Sequence, residues 1–502
     1  MTKLTLSISD PNTLLVHRAA TGGLALALDA LSPDDAPLSW QVTEDEVRLS
    51  WEGSDRDAIT WLVRSTYQLE NGYLNVPALN LDSQGRYTFT QGVTSTLLQH
   101  SQQRSLAKTT RPIRFLIEDG QPEITLEFRP VLDCYYTRDL KEAFTSKGKF
   151  KSAIPLKGHH LPGLVECFIN GPYKESPSGF VALLFLPLAC GYYKLPGPGL
   201  RSALAIPEVT NLKEWVILRR NFSGQPYEQF RATGSGEAGL RFLLEDKVGD
   251  NAQKMGVQYC EVYQLGKQTW DGNQPYLKQA VYRIRAKPEM LELYQTARAF
   301  FPSRVQVADT ETKRTWLATS KVLAWLAENL ISDRPWYCGF FEFQKSENIY
   351  KADREGLTKM TDRLTEDEKV LFDAVKGAFG SLLREEILLT KDQGRTFDVE
   401  SYAKTKKKAI YRLQRHNTKQ QFSSALVDFL CRFQSGAATG KGIEIARWIH
   451  SDDNWRQARD LALLAIATYK KKSQDSSEES ELGDKASESE FDSEGLEMNL
   501  LD

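Results

Sequence analysis

The segment Lys404–Lys419, KTKKKAIYRLQRHNTK, carries seven basic residues (Lys404, Lys406, Lys407, Lys408, Arg412, Arg415 and Lys419) and no acid. Wound as a helix, it brings Lys404, Lys408, Arg412, Arg415 and Lys419 into an arc of about 80°. Cations on one narrow stripe repel one another, and a polyanion relieves that repulsion. A solvated basic helix face is the alternative. Three smaller groups invite the same reading. Lys147, Lys149, Lys151 and Lys157 alternate with Gly148 and Phe150, a pattern suited to a phosphate backbone and a stacked base. An ordinary exposed loop would look the same. Arg104, Lys108, Arg111 and Arg114 form a second cluster, and Arg219, Arg220 and Asn221 a third. Arginine and asparagine can read base edges bidentately in a groove, although two arginines after the apolar run Trp215–Leu218 also suit the end of a strand.

Catalytic patterns are weak by comparison. Gly234-x-Gly236-x-x-Gly239 matches a dinucleotide fingerprint but lacks a leading strand, since Pro226 and Glu228 interrupt. Gly436-Ala-Ala-Thr-Gly440-Lys441 has one spacer too few for a phosphate loop, and Gly442 replaces its Ser/Thr, so it reads as a helix–helix connection. His159-His160 stands alone, and neither H-E-x-x-H nor G-x-S-x-G occurs. No motif calls for a metal or a cofactor. The six cysteines form no C-x-x-C pair and read as reduced, mostly buried thiols.

These clusters need elements to hold them. A chain of 502 residues has room for about three domains of 100–200 residues each. The net charge of −2 conceals an asymmetry: residues 473–502 hold eleven acids against Lys485, a net of −10, which leaves +8 on residues 1–472. Such an asymmetry accompanies nucleic-acid traffic. The opening MTKLTLSISD lacks the apolar run of a signal peptide, and Phe180–Cys190 is too short to span a bilayer, so the expectation is a cytoplasmic chain without a membrane partner.

The fold expected is α+β: a large mixed N-terminal domain over residues 1–308, a helical connection over 309–359, a helical bundle over 360–472 and a disordered acidic tail over 473–502. Strands are expected at Leu4–Ile8, Val47–Trp51, Tyr87–Thr90, Ile113–Ile117, Ile124–Phe128 and Phe180–Cys190. Thr13 is expected to cap a helix over Leu14–Leu31, and Glu289–Phe301 and Thr312–Leu330 to be helical. Thr365 with Glu368 reads as a capping box opening a long helix, with helices Val399–Gln414 and Thr418–Phe433 following and a last one starting at Asp452 or Asp453.

The run Leu14–Ala25, LLVHRAATGGLA, resembles the "LLHRAGLAGL" opening of the large subunit of type I CRISPR Cascade complexes, in the Cas8a or Myxan-type branch. The layout, α+β followed by helices, is similar too. The resemblance implies a non-catalytic subunit that recognises a short PAM in double-stranded target DNA, promotes R-loop formation and guides the displaced strand. It implies as partners a guide RNA, backbone and small CRISPR subunits, and a recruited helicase-nuclease or a transposition adaptor. Pairing with the guide reads the sequence, so the protein needs shape, charge and a short base-reading element. An unrelated nucleic-acid-binding defence scaffold and an enzyme with an unrecognised site remain open beside it.

Two further readings concern the C-terminal half. In some relatives the small subunit arises by internal translation, and Met360 is a candidate start, opening a stretch (360–472) of net +6 from 21 basic and 15 acidic residues that reads as able to fold alone. A linker methionine is the alternative. The tail reads as a solubilising brush, as a screen over the basic body, or as a partner-docking segment through Leu496, Met498, Leu500 and Leu501.

Overall fold

The computed structural model describes residues 1–98, 105–133, 136–156, 173–197, 201–220, 225–245, 257–267, 276–307, 315–347, 349, 351–452 and 454–470. The fold is α+β. The chain divides into two compact units, one formed by Met1–Gln295 with Ser303–Thr319 and the other by Thr296–Pro302 with Ser320–Asp502. Helices Lys321–Ile331, Phe340–Ser346 and Lys351–Met360 therefore belong to the second unit and do not form a separate connection. Among the described residues no helix is long and apolar enough to cross a membrane, and no group of His, Cys, Asp and Glu could hold a metal. Cys190, Cys260 and Cys338 are buried free thiols, and Cys431 is exposed.

The first unit is built around the helix Leu15–Asp29, buried on every face. It packs against helices Pro177–Leu183, Leu186–Ala189 and Leu212–Arg220 and against strand Ser202–Val209. Glycine makes that approach possible: a Cβ on Gly23 would lie 2.1 Å from the Phe185 carbonyl oxygen, and one on Gly22 3.0 Å from the Trp215 ring. Each glycine costs about 1 kcal/mol of helix propensity, which the close packing offsets. His17 Nε2 meets Glu175 Oε2 at 3.1 Å, and Arg18 Nη1 donates to Glu208 Oε1 at 3.2 Å. The LLVHRAATGGLA run is thus a core signature, tying the helix to distant parts of the chain. Its N-cap is Leu14; the Thr13 hydroxyl bonds instead to the Asp10 carbonyl at 2.7 Å.

Two antiparallel sheets accompany this helix. Thr2–Ser7, Glu46–Trp51 and Leu38–Val42 form one, with Leu4 opposite Leu49. Gly191–Lys194, Ser202–Val209, Val257–Lys267 and Tyr276–Arg285 form a four-stranded meander. Strands Arg111–Phe115 and Ile124–Phe128 pair as a hairpin, close to the expected spans.

Three expected strands are helical. Phe180–Cys190 lies mostly in two short helices, Pro177–Leu183 and Leu186–Ala189. The Ser176 hydroxyl accepts from Gly179 N at 3.1 Å, and each helix has a proline in its first turn, where a missing N–H costs nothing. A short apolar run buried on all sides has no period to distinguish strand from helix. Tyr87–Thr90 sits inside helix Ser83–Ser95, where Asp82 caps Gly85 N at 2.6 Å. Trp215–Leu218 lies in helix Leu212–Arg220, with Asn211 Oδ1 accepting from Glu214 N at 3.1 Å. The expected helix Thr312–Leu330 is corrected as well: Thr315–Ala318 is a strand paired with Arg304–Val307, and a helix capped by Ser320 runs from Lys321 to Ile331.

In the second unit, helix Trp455–Ala467 is the inner element, buried all round. The long helix Glu366–Asp392, the helices Val399–Gln414, Lys419–Arg432 and Gly442–His450, and the short helix Phe340–Ser346 all pack on it. The capping box forms as expected: Thr365 N donates to Glu368 Oε2 at 2.8 Å, and Glu368 N to Thr365 Oγ1 at 3.3 Å. Asp460 joins the inner helix to the segment before the short helix, accepting from Gly339 N at 2.8 Å and Phe341 N at 2.9 Å. Burial pushes its carboxyl up to about 6 in spite of both donors.

Candidate nucleic-acid interface

The basic helix covers Val399–Gln414, the span its periodicity predicts, and Asp398 caps it by accepting from Ser401 N at 2.8 Å. Thr405, Ala409 and Leu413 recur every four residues and form its buried side. Lys406 turns inward with them. Its ammonium donates to the Ala467 carbonyl oxygen at 2.7 Å, at the C-terminal end of the inner helix, and burial pushes its pKa down to about 8.

The remaining cations separate into two groups. Arg412 pairs with Asp428 on the following helix and lies 5.9 Å from the Phe433 ring centroid. Lys419 donates to Asp452 Oδ1 at 2.6 Å and to the His450 carbonyl at 3.1 Å. These two of the five expected stripe residues are neutralised from within the fold. Lys404, Lys407 and Lys408 are exposed and form no ion pair among the described residues, with Glu400 one turn before Lys404. Arg415 is exposed, with Nε 3.4 Å from His416 Nε2 and no ion pair among the described residues. Between Lys408 and Arg415 stands Tyr411, 62% exposed. Positions 404, 408, 411 and 415 fall within about 60° on the helix, so the solvent face is three cations with an aromatic ring among them. Cations that follow a backbone, with a ring for a base to stack on, are the equipment of single-strand binding. A count of charges misses Tyr411, although its spacing from Lys408 and Arg415 places it on that face.

In the α+β unit most of the expected site residues serve the fold. Lys149 Nζ donates to the Gly53 carbonyl at 2.7 Å, to Asp55 Oδ1 at 3.1 Å and to Thr2 Oγ1 at 3.4 Å. Asp55 also accepts from Phe150 N at 3.0 Å and Trp51 Nε1 at 3.1 Å. Burial alone would raise its pKa, but these donors outweigh burial and hold it below the ordinary carboxylate value. Lys151 Nζ donates to the Glu142 carbonyl at 2.7 Å. Gly148, at φ +74, turns the loop where a Cβ would meet Ser54 Oγ at 2.6 Å. Lys147 is exposed.

Arg111 donates to the Asn71 carbonyl at 2.7 Å and lies over Tyr73 and Phe128, 4.9 and 5.1 Å from their centroids. Arg114 faces Glu123 at 3.9 Å, and Lys108 is exposed. Arg219 is 3% exposed, with Nη2 donating to the Cys190 carbonyl at 2.9 Å and the guanidinium between Trp215 and Phe242. Arg220 pairs with Asp29. Arg104, Lys157, His159, His160, Asn221 and the acidic tail lie outside the described residues.

The weak phosphate-site patterns resolve into packing. Gly239 lies within helix Ser235–Glu245, where a Cβ would strike Ile284 Cδ1 at 2.3 Å, so it allows the helix to approach the sheet. Gly436–Lys441 connects helices Lys419–Arg432 and Gly442–His450, as expected.

Comparison with known proteins bears on both ends of the chain. Residues 5–184 match the DevT N-terminal domain and residues 359–500 the DevT C-terminal domain. The chain is similar to the CRISPR-associated protein Cas8a1/Csx13 of Myxococcus xanthus (strain DK1622), at 22% identity over 523 residues, covering 95% of this chain and 90% of the relative. That similarity runs nearly end to end, and the DevT N-terminal match contains the LLVHRAATGGLA helix that organises the first unit. With both DevT domains in order on an α+β-then-helical frame, the chain belongs to the Cas8a, Myxan-type family of CRISPR Cascade large subunits.

Proposed function

We propose that this protein is the non-catalytic large subunit of an RNA-guided type I CRISPR effector complex. In this reading it recognises the PAM in double-stranded DNA, promotes R-loop formation and guides the displaced strand. The observation that carries the strand-guiding role is the exposed Lys404–Lys408–Tyr411–Arg415 face. Three phosphates neutralised there release counterions, which gives affinity without sequence preference. Tyr411 offers a stacking surface that tolerates any base. Guide RNA, backbone and small subunits are the partners this role requires, with a helicase-nuclease or a transposition adaptor as client. PAM reading falls to the α+β unit, where Lys108 and Lys147 remain exposed.

The test is target binding by the purified complex. Reversing Lys404, Lys408 and Arg415 to glutamate should flatten the dependence of log K on log salt by about 2, at roughly 0.7 per single-strand contact. Between 50 and 200 mM salt that corresponds to a difference of about 15-fold. Tyr411→Ala should weaken binding by about 1–3 kcal/mol and leave the slope unchanged. An unaltered slope after charge reversal refutes the assignment of this face. Failure of a guide RNA to copurify with the wild-type chain refutes the complex.

A further inference from the structure

The exposed basic face has a ready occupant in the same chain. We propose that residues 471–502 compete with nucleic acid for it, acting as a tethered polyanion that weak or transient ligands fail to displace. This inference rests on reading the face as a nucleic-acid surface, and it adds a regulator to that surface.

Three observations carry it. The first is where the described chain leaves the fold. Lys406 of the basic helix holds the Ala467 carbonyl at 2.7 Å, and the Tyr402 hydroxyl donates to the Tyr469 carbonyl at 3.3 Å. The Tyr469 ring also lies edge-on to Phe379, with centroids 5.1 Å apart. The departure point is thereby fixed at the first two turns of the basic helix. It lies on the buried side, across a cylinder about 10–12 Å wide from Lys404 and Lys408.

The second observation is length. Thirty-two residues follow Lys470, and the acids begin at Asp475 and continue to Asp502. Lys404 and Arg415 are separated by about 17 Å along the helix axis. A chain reaches up to about 3.3 Å per residue, so the acids from Glu478 onward can round the helix and lie along the whole face. The third is charge. Residues 473–502 sum to −10, from eleven acids and Lys485. They meet a face whose Lys404, Lys407 and Lys408 form no ion pair among the described residues. The cations Arg412 and Lys419 are already paired with Asp428 and Asp452 and offer the tail little.

Tethering gives the segment an effective concentration on the order of 1 mM. A local affinity on the order of 0.1 mM then imposes about a tenfold competition on any single-stranded ligand. Because both interactions are screened, the competition fades as salt rises. A displaced strand, kept nearby because its complement is paired with the guide, holds its place while free nucleic acid is turned away.

The experiment uses a fluorescein-labelled 20-nucleotide single strand and anisotropy, comparing the full chain with one truncated after Lys470. Truncation should tighten binding about tenfold at 50 mM salt, and by much less at 300 mM. Replacing the eleven tail acids by Asn and Gln should reproduce truncation. In a K404E/K408E/R415E background, truncation should have no effect. A second measurement does not depend on DNA: a labelled peptide of residues 471–502 should bind the truncated chain at low salt, and the three reversals should abolish that binding. Equal DNA affinity with and without the tail, or a peptide that does not bind, overturns the competition. A tail effect that persists in the reversed background overturns its location. Failure of the underlying reading is distinguishable, because the three reversals would then leave DNA binding by the truncated chain unchanged.

Discussion

An independently translated product starting at Met360 should not fold as a stable unit. Met360 closes helix Lys351–Met360 and is 0% exposed, so starting there would put a charged amino terminus into the core. The deletion would also remove the helices over 321–359. Phe340 and Phe341, 0% and 2% exposed, leave with them, at about 1.5–3 kcal/mol each in lost burial. Asp460 loses Gly339 N and Phe341 N, two hydrogen bonds to a charged group worth about 1.5–3 kcal/mol each. The Arg459 guanidinium, 3.6 Å from the centroid of Phe341, loses its aromatic cover, and Glu368 loses the Tyr337 hydroxyl at 2.8 Å. The total is about 6–12 kcal/mol, comparable to the whole stability of an ordinary domain. Fragments 360–502 and 296–502 should be compared by circular dichroism during thermal melting. The longer should unfold cooperatively, and the shorter should show no cooperative transition above about 25 °C. A shorter fragment that melts cooperatively within a few degrees of the longer refutes the reasoning. The C-terminal DevT match begins at residue 359, beside the same boundary, so the comparison separates a unit of descent from a unit of folding.

Two more expectations concern buried charge. Asp460 titrates at about 6 in the fold against 3.8 as an ordinary carboxyl, so the folded state holds the extra proton between those values. Its contribution is fully present below pH 3.8 and lost as pH rises through 6, a change of about 3 kcal/mol. Urea unfolding from pH 4 to 7 should therefore show stability falling across that window relative to Asp460→Asn; parallel curves for the two proteins would refute it. Lys149→Ala should lower the melting temperature of the first unit by about 2 °C, from about 1 kcal/mol lost at a half-exposed ion pair, whereas Lys147→Ala should leave it unchanged. Because the folded Asp55 carboxyl titrates below its ordinary value, the Lys149 effect is present at pH 7 and fades as pH falls below that range. Equal shifts for the two lysines would refute the distinction.

Helices with a clear period and a clear cap were legible in the chain. Val399–Gln414 emerges with its expected ends because Asp398 caps it and small or apolar residues recur at 405, 409 and 413. The Thr365–Glu368 box is legible for the same reason. Elements buried on every side were not. Phe180–Cys190 offers no contrast between faces, and its helices are set by Ser176, Pro177 and Pro187, punctuation that a run of apolar letters hides. Tyr87–Thr90 reads as a strand because aromatic and β-branched residues favour sheets, yet a cap at Asp82 and packing override a preference of that size.

The candidate site obeys a different rule, since a cation's availability is decided by acids far away in sequence. Arg412 meets Asp428 and Lys419 meets Asp452, each carried by another element of the second unit. Arg220 meets Asp29 on the central helix of the first unit. No window around Lys404–Lys419 contains those acids, so a local charge count overstates what solvent sees. The same count understates the face in another way, because it has no place for an aromatic residue. Tyr411 gains its meaning from standing, 62% exposed, among cations that form no ion pair among the described residues. An exposed ring of that size on a helix surface forfeits burial, a loss that a stacked base would recover under the proposed function. Under the proposed reading, charge would set where a strand lies on this helix, and the ring would set how long each base stays.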